Sequence, residues 1–248
     1  MKKIGLGLIA AGLLVTPALA ADMALKAPLL PPPPLWTGWY VGANGGGGWA
    51  NTTWTFPAPQ FFATAAGQSF STNPNGGIAG GQIGYNYQFS NWVVGGEFMG
   101  DWANLSQKVV GPVPAFPFDS FTTKLQDLES LTVRLGYAPA NWLFYGKAGV
   151  ASGSINLSAL SGAPVPGVAF SNTQRPWGPT VGAAVELMWT PHLVVGVEYD
   201  FTSFGGESVL ATATCNGNPA CAGVATPVTM NSSFFNISTV TGRVSYKF

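Results

Sequence analysis

The sequence predicts an all-β protein, an eight-stranded antiparallel transmembrane up-and-down β-barrel over residues 37–248. Three observations predict it: a charge-poor, aromatic-rich composition behind an export signal; eight segments of alternating side-chain character; and connections that are long and short in strict turn. Of 248 residues only 8% are charged, against roughly 25% in an average soluble domain, while Gly occurs 33 times and Trp nine. Lys2 and Lys3 precede the apolar run IGLGLIAAGLLV, and Ala18-Leu19-Ala20 supplies the small-x-small pattern of a signal-peptidase site. That run falls short of the ~20 apolar residues of a spanning helix. Residues 1–20 therefore read as a cleavable secretory signal. Glycine, proline or polar residues interrupt every later apolar run. Without Lys2 and Lys3, eight basic residues face ten acidic ones, a net charge of −2 with no basic block to suit nucleic acid.

Residues 21–36 read as a proline-rich periplasmic lead. Within "APLLPPPPL" (27–35) proline donates no hydrogen bond to a sheet ladder, and four in succession favour an extended polyproline II spacer. A peptide-binding module could recognise such a run; a spacer is the plainer reading.

The eight alternating segments lie near 37–50, 77–89, 92–102, 126–137, 142–153, 178–189, 193–204 and 234–248. Each reaches the ~9–11 residues of a tilted membrane-crossing strand. The first carries Trp39 and Trp49 on one parity. Its run Gly45–Gly48 lacks the GK[ST] ending of a phosphate loop and suits close approach in a tightly curved sheet. The second sets Gln82, Asn86 and Gln88 against Ile83, Tyr85, Tyr87 and Phe89. The third sets Glu97 and Asp101 against Trp92, Phe98 and Trp102. In the fourth, Arg134 opposes Tyr137, and Asp127 and Glu129 open the strand, Glu129 on the wrong parity. Lys147 opposes Trp142 in the fifth, and Glu186 opposes Trp189 in the sixth. The seventh sets Glu198 and Asp200 against Phe201 and lacks an aromatic at its start. The eighth sets Arg243 and Lys247 against Val244, Tyr246 and Phe248.

Residues 51–76, 103–125, 154–177 and 205–233 form long connections, whereas Ser90-Asn91, Ala138–Asn141 and Thr190–His192 form tight turns. That pattern is expected of a bacterial barrel with four long extracellular loops and short periplasmic turns. An even strand number places both termini on the periplasmic side. The outward parity carries an aromatic girdle at the periplasmic end (Trp39, Phe89, Trp92, Tyr137, Trp142, Trp189, Phe248), with Trp49, Trp102 and Phe201 toward the other limit. Aromatics bounding an apolar face mark the two interfaces of a bilayer. These outward girdles and the asymmetry of the connections argue against a soluble lipocalin-like barrel.

The inward parity collects a lumen charge network of Glu97, Asp101, Arg134, Lys147, Glu186, Glu198, Asp200, Arg243 and Lys247. Counting from the periplasmic ends puts Glu97, Lys147, Glu198 and Arg243 at one depth, with Arg134 and Glu186 two residues lower. Eight strands enclose about the width that side chains fill, so opposite charges there are expected to pair.

Three stretches carry a resemblance. "WTGWYVGANGGGGW" (36–49), "GGQIGYNYQFSNWVVGGEF" (80–98) and "VTGRVSYKF" (240–248) resemble the first strand, first periplasmic hairpin and closing strand of the outer-membrane immunogenic, opacity-like porin family of Gram-negative surface proteins. The resemblance covers the strands and not the long connections. It implies an eight-stranded barrel and leaves function open. Val244, Tyr246 and Phe248 resemble the C-terminal signal read by the barrel-assembly machinery, a role compatible with interfacial anchoring.

No constellation points to catalysis, a metal or another cofactor. The one histidine, His192, sits beside Pro191 in a tight turn with no serine near in sequence, and a single turn histidine offers little axial ligation to haem. Cys215 and Cys221 enclose "NGNPA"; in an exported chain they read most simply as a disulfide, a metal site being weaker without histidine nearby. The long connections are rich in Ser, Thr, Asn, Gly, Ala and Pro. The expectation is a structural or surface-interaction protein of the outer membrane, in contact with outer-membrane lipids and lipopolysaccharide, with a host or polysaccharide ligand at its loops. The alternatives are a small-solute channel and a lipid-modifying enzyme.

Overall fold

The computed structural model describes residues 36–248 except 60–61, 63–64, 115–116, 163–166, 207 and 216–224; the expected signal at 1–20 and the lead as far as residue 35 lie outside the described residues. Among the described residues twelve strands form: β1 (Gly38–Thr55), β2 (Ser69–Thr72), β3 (Asn75–Phe89), β4 (Trp92–Val110), β5 (Ser120–Tyr137), β6 (Trp142–Leu160), β7 (Val168–Gln174), β8 (Trp177–Met188), β9 (Leu193–Phe204), β10 (Ser208–Cys215), β11 (Ala225–Ser232) and β12 (Phe235–Lys247). Eight of them close a ring, each antiparallel to its neighbours, in the order β1–β3–β4–β5–β6–β8–β9–β12 and back to β1. Tyr40 pairs with Lys247 at the closure, so the start of the first strand and the end of the last lie together at one end of the ring.

The periplasmic turns fall where the sequence puts them. Ser90 (φ 54°) and Ala140 (φ 58°) take the left-handed backbone of tight reversals. Each turn is tied to a strand beyond its own hairpin: Ala138 N donates to Asn91 O at 2.7 Å, Met188 N to Asn141 O at 2.8 Å, and Lys247 N to His192 O at 2.8 Å.

The four long connections are not the loops the sequence suggests, because much of their length is paired strand. β1, β4, β5 and β6 run on beyond the outward tryptophans. β7 replaces β8 beside β6, the β10–β11 hairpin pairs β7, and β11 reaches β1 at Trp54 and Thr55. β2 pairs the other edge of β1. The result is an outer tier stacked on the membrane ring. Its outward rows are mostly Ser, Thr and Asn with a few lysines and aliphatics, and they lack the regular apolar-outward, polar-inward contrast that exposes a lipid-facing strand in sequence.

Two bulges lie at the junction of the tiers: the register slips between Trp102 and Leu105 in the β4–β5 pair, and between Leu125 and Leu128 in the β5–β6 pair. An extra residue switches which parity faces inward. In β5 this sets Leu125 and Leu128 both inside, while Asp127 and Glu129, on the parity of Tyr137, lie outside the lumen; β4 keeps its odd positions inward throughout.

The outer tier has a core of its own. Phe121 is its centre, with ring centroids 6.0, 5.6 and 4.6 Å from Phe56, Phe62 and Phe70; Phe170 joins through Phe62 at 5.5 Å. Removing a buried aromatic of this kind costs ~3–5 kcal/mol. Phe121→Ala should therefore loosen the outer tier while the membrane ring persists. The expected result is faster proteolysis of residues beyond Trp102 with unchanged heat-modifiable migration on a gel.

Candidate functional site

Period-two alternation in eight closed strands sends every second side chain into the interior, and the interior is filled in layers. At the periplasmic floor Trp36, Val93, Ala138, Leu143, Ala184, Met188 and Val194 pack with Tyr145 into a buried cluster. Trp36, placed by composition in the lead, is instead part of this floor. Its backbone N donates to Gln88 Oε1 at 3.0 Å, and Gln88 N donates to Thr37 Oγ1 at 3.0 Å, so the chain turns beneath the ring as it enters β1.

Above the floor lies the charged layer. The guanidinium of Arg243 (β12) is ion-paired with Glu97 (β4) and Glu198 (β9), and its Nε is 3.2 Å from Glu186 Oε1 (β8). Arg134 (β5) sits between two aromatic faces, its Cζ 4.5 Å from the Tyr40 ring centroid and 4.7 Å from that of Tyr145. Its Nη1 lies 3.5 Å from Glu97 and 3.4 Å from Glu186, and its Nε donates to Asn86 Oδ1 at 2.8 Å. Lys147 (β6) completes the layer, with Nζ 2.7 Å from Glu198, 3.1 Å from Asp200 and 3.7 Å from Glu97. Tyr40 donates to Glu97 at 2.9 Å; the Tyr145 hydroxyl lies 2.7 Å from Glu198 and accepts from Arg243 at 2.9 Å. A Cβ at Gly84 would collide with the Tyr40 hydroxyl, so the missing side chain there makes room for that reach.

Six of the nine lumen residues named from sequence, Glu97, Arg134, Lys147, Glu186, Glu198 and Arg243, thus meet in one neutral cluster, with Asp200 attached through Lys147. Two stand apart. Asp101 is buried higher in the lumen, and neither carboxylate oxygen has a hydrogen-bond donor among the described residues. Lys247 is not part of the network: it is half-buried at the rim, where Nζ donates to Thr37 O at 3.2 Å. It lies two residues nearer the strand end than Ser245, beyond the reach of the acids above. Tyr40 and Tyr145 went unnamed in the sequence reading, although each directly follows an outward aromatic and so has inward parity.

The lumen then becomes progressively apolar. Gln82 bridges Asn44 and Ser245 (3.2 and 3.1 Å), and Thr202 donates to Thr180 at 2.8 Å. Next come Ile78, Leu105, Leu125, Leu128, Phe204, Phe235 and Ile237, all buried, and above them the aromatic core of the outer tier.

Outside, the girdle residues project from the ring: Trp102 is 80% exposed, Trp39 58%, while Glu97 on the opposite face is 1%. Cross-strand pairs tie them together, Trp39 with Tyr85 at 5.3 Å and Trp92 with Tyr137 at 5.6 Å. Trp142 stacks on Phe144, and Phe89, Trp189 and Phe248 are likewise exposed on this face. Val244, Tyr246 and Phe248 share the outward face of β12, and Phe248 N donates to Trp39 O at 2.9 Å. Trp177, which the sequence reading did not name, adds an outward ring near the upper limit. The exceptional acids of β5 are clamped there: Arg175 lies 2.5 Å from Asp127 and 3.2 Å from Glu129. At the outer rim Asp119 accepts from Gly162 N at 2.9 Å; burial raises its pKa, and that hydrogen bond opposes the rise. His192 stacks on Tyr246 (5.5 Å) with Nδ1 2.8 Å from Lys247 O. Cys215 is disulfide-bonded; Cys221, to which the sequence reading joins it, lies outside the described residues.

A family model described as the outer membrane protein beta-barrel domain matches residues 6–248. The 31 kDa outer-membrane immunogenic protein of Brucella melitensis is 28% identical over 225 residues, which cover 85% of this chain and 90% of that one. The protein of the same name from Brucella suis matches to the same extent. Among solved structures, the outer membrane protein OprG of Pseudomonas aeruginosa is 16% identical with a TM-score of 0.43, covering 86% of this chain and 96% of its own. The attachment invasion locus protein Ail of Yersinia pestis is 14% identical with a TM-score of 0.38, covering 86% and 99%. The chain belongs to the outer membrane protein beta-barrel domain family and resides in the outer membrane.

Proposed function

We propose that this barrel is a structural and surface-display protein of the outer membrane, with a lumen that serves as a sealed core and an outer tier that makes its contacts. The observation that carries this reading is the Arg243 cluster. Three bases and three acids from six strands span the interior at one level. Apolar layers lie below and above it. A solute crossing the lumen would have to separate buried ion pairs and then enter a leucine- and phenylalanine-lined stretch. The name of the Brucella relatives, immunogenic proteins, fits exposure at the cell surface. A catalytic role gains no support from His192, whose ring is taken up in anchoring the last strand at the periplasmic end. The terminal aromatics of β12 fit recognition during assembly as well as anchoring.

Three outcomes follow. In planar bilayers the purified barrel should show no steady conductance; long-lived openings of porin size from single wild-type barrels would overturn the sealed-lumen reading. Arg243→Ala leaves Glu97 and Glu198 without a principal partner, and breaking such a buried pair from one side costs ~3–5 kcal/mol. The temperature at which the folded gel band is lost should fall accordingly, whereas Asp101→Asn, which removes a carboxylate with no donor, should hold or raise it. Equal losses in the two variants would count against a cluster centred on Arg243. Deleting Phe248 should lower the amount of inserted barrel in cells far more than Phe248→Tyr; equal insertion of deletion and wild type would leave only an anchoring role.

A further inference from the structure

Just above the outward tryptophans, the outer face of the sheet carries two cations with no anion to answer them. Lys108 on β4 lies opposite Thr122, which lies opposite Ser158, which lies opposite Ser171. One row nearer the membrane the sequence of partners is Ser106, Lys124, Asn156, Thr173. Lys108 and Lys124 are therefore diagonal neighbours, ~7–8 Å apart at their backbones. Both are exposed. Among the described residues neither has a carboxylate partner: Asp127 and Glu129 are held by Arg175, and Asp119 is buried against Gly162 N.

The upper of these rows forms part of the wall of a groove of about 680 Å³, lined by Lys108, Thr122, Ser158, Ser171, Thr212 and Thr214 among others, with the Lys124 row beside it on the membrane side. Its depth in the envelope follows from the register. Trp102 pairs with Asp127, three residues from Lys124, and stands six residues before Lys108 on the same strand. At ~3.4 Å per residue and a tilt of ~40°, Lys124 stands ~8–10 Å and Lys108 ~15 Å outside the tryptophan level. That is the headgroup zone of the outer leaflet. Directly below, Trp102, Phe98 and Leu131 offer an exposed apolar strip on the same strands.

The geometry points to a binding site for the phosphorylated sugar headgroup of an outer-leaflet glycolipid, with its phosphates on Lys108 and Lys124, its sugar hydroxyls on the Ser/Thr/Asn rows and its acyl chains on the strip beneath. A second copy of this chain fits worse, since it would bring the same two cations into contact. The assignment concerns the outer wall and does not depend on whether the lumen conducts.

The test uses the purified barrel in neutral detergent and diphosphorylated lipid A carrying its inner-core sugars as the probe. The variants are Lys108→Gln/Lys124→Gln and Lys108→Arg/Lys124→Arg, each shown by heat-modifiable migration to be folded. Two surface cations lost near an anionic headgroup should weaken binding roughly 10- to 30-fold in the glutamine pair, while the arginine pair binds like the wild type. The same lipid stripped of phosphate should bind wild-type barrel as weakly as the glutamine pair binds the intact probe. Equal affinity of wild type and glutamine pair, or undiminished binding of the phosphate-free lipid, would overturn the site. A deacylated headgroup binding as tightly as the whole lipid would also overturn it, by showing a groove for soluble glycan.

Discussion

Inside hydrocarbon no water is available to a free peptide group, and this fixes the architecture. Every backbone N–H and C=O at membrane depth must find its partner within the sheet, so the sheet has to close. Twelve consecutive residue pairs from Tyr40–Lys247 to Asn51–Asn236 perform that closure between β1 and β12. Once the ring is closed, alternation leaves each side chain only two destinations, lipid or lumen. The girdles, the buried charges and the adjacency of the two chain ends are consequences. The tight turns can be short because adjacent antiparallel strands need no crossover.

The lumen obeys a second constraint, set by its width. Eight strands enclose about the width that side chains fill, so an inward charge is a buried charge and needs a partner. Burial of this kind is a poor source of net stability, since desolvation offsets much of the attraction. It is an effective source of specificity. A slip of one residue in β12 would put Arg243 into lipid and Val244 into the acidic layer, an error far more costly than misplacing an alanine. The cluster draws on β1, β4, β5, β6, β8, β9 and β12, so the register of almost the whole ring is read at one level. Arg134, held between the faces of Tyr40 and Tyr145, also links the charged layer to the aromatic floor.

The membrane tier was legible because lipid enforces contrast. Segments such as Trp92–Trp102 alternate tryptophan or phenylalanine with glutamate or aspartate, and the strand starts predicted at 92, 142 and 193 coincide with those of β4, β6 and β9. Contrast ends where lipid ends. Above Trp102 the outward residues are mostly serine, threonine and asparagine, indistinguishable from loop composition, and the strands continue without a sequence signal. The irregularity between Leu125 and Leu128 compounds this by switching parity within β5, and Glu129, outward on the parity of Tyr137, is matched by Arg175 from a distant part of the chain. Depth in the lumen could be counted along each strand, but azimuth could not. Arg243 and Glu97 meet across the interior from strands that are not neighbours. Tyr40 and Tyr145 carry no such contrast, because tyrosine suits the lipid girdle equally well.

The two tiers have separate cores, and this gives the molecule a division of labour. Phe121 and its aromatic neighbours share no residue with the Arg243 cluster, and the layer of Leu105, Leu125 and Leu128 stands between them. Four strands, β1, β4, β5 and β6, run through both tiers and carry the outer one rigidly on the ring. Four others, β2, β7, β10 and β11, belong to the outer tier alone and supply no pairing to the membrane-spanning part of the ring. A change of length or sequence in β7, β10 or β11 therefore alters the exposed surface without unpairing a backbone group in lipid or exposing a lumen charge. The strands that must satisfy the membrane are those whose sequence is most constrained by it, and the strands that meet the exterior are free of that constraint.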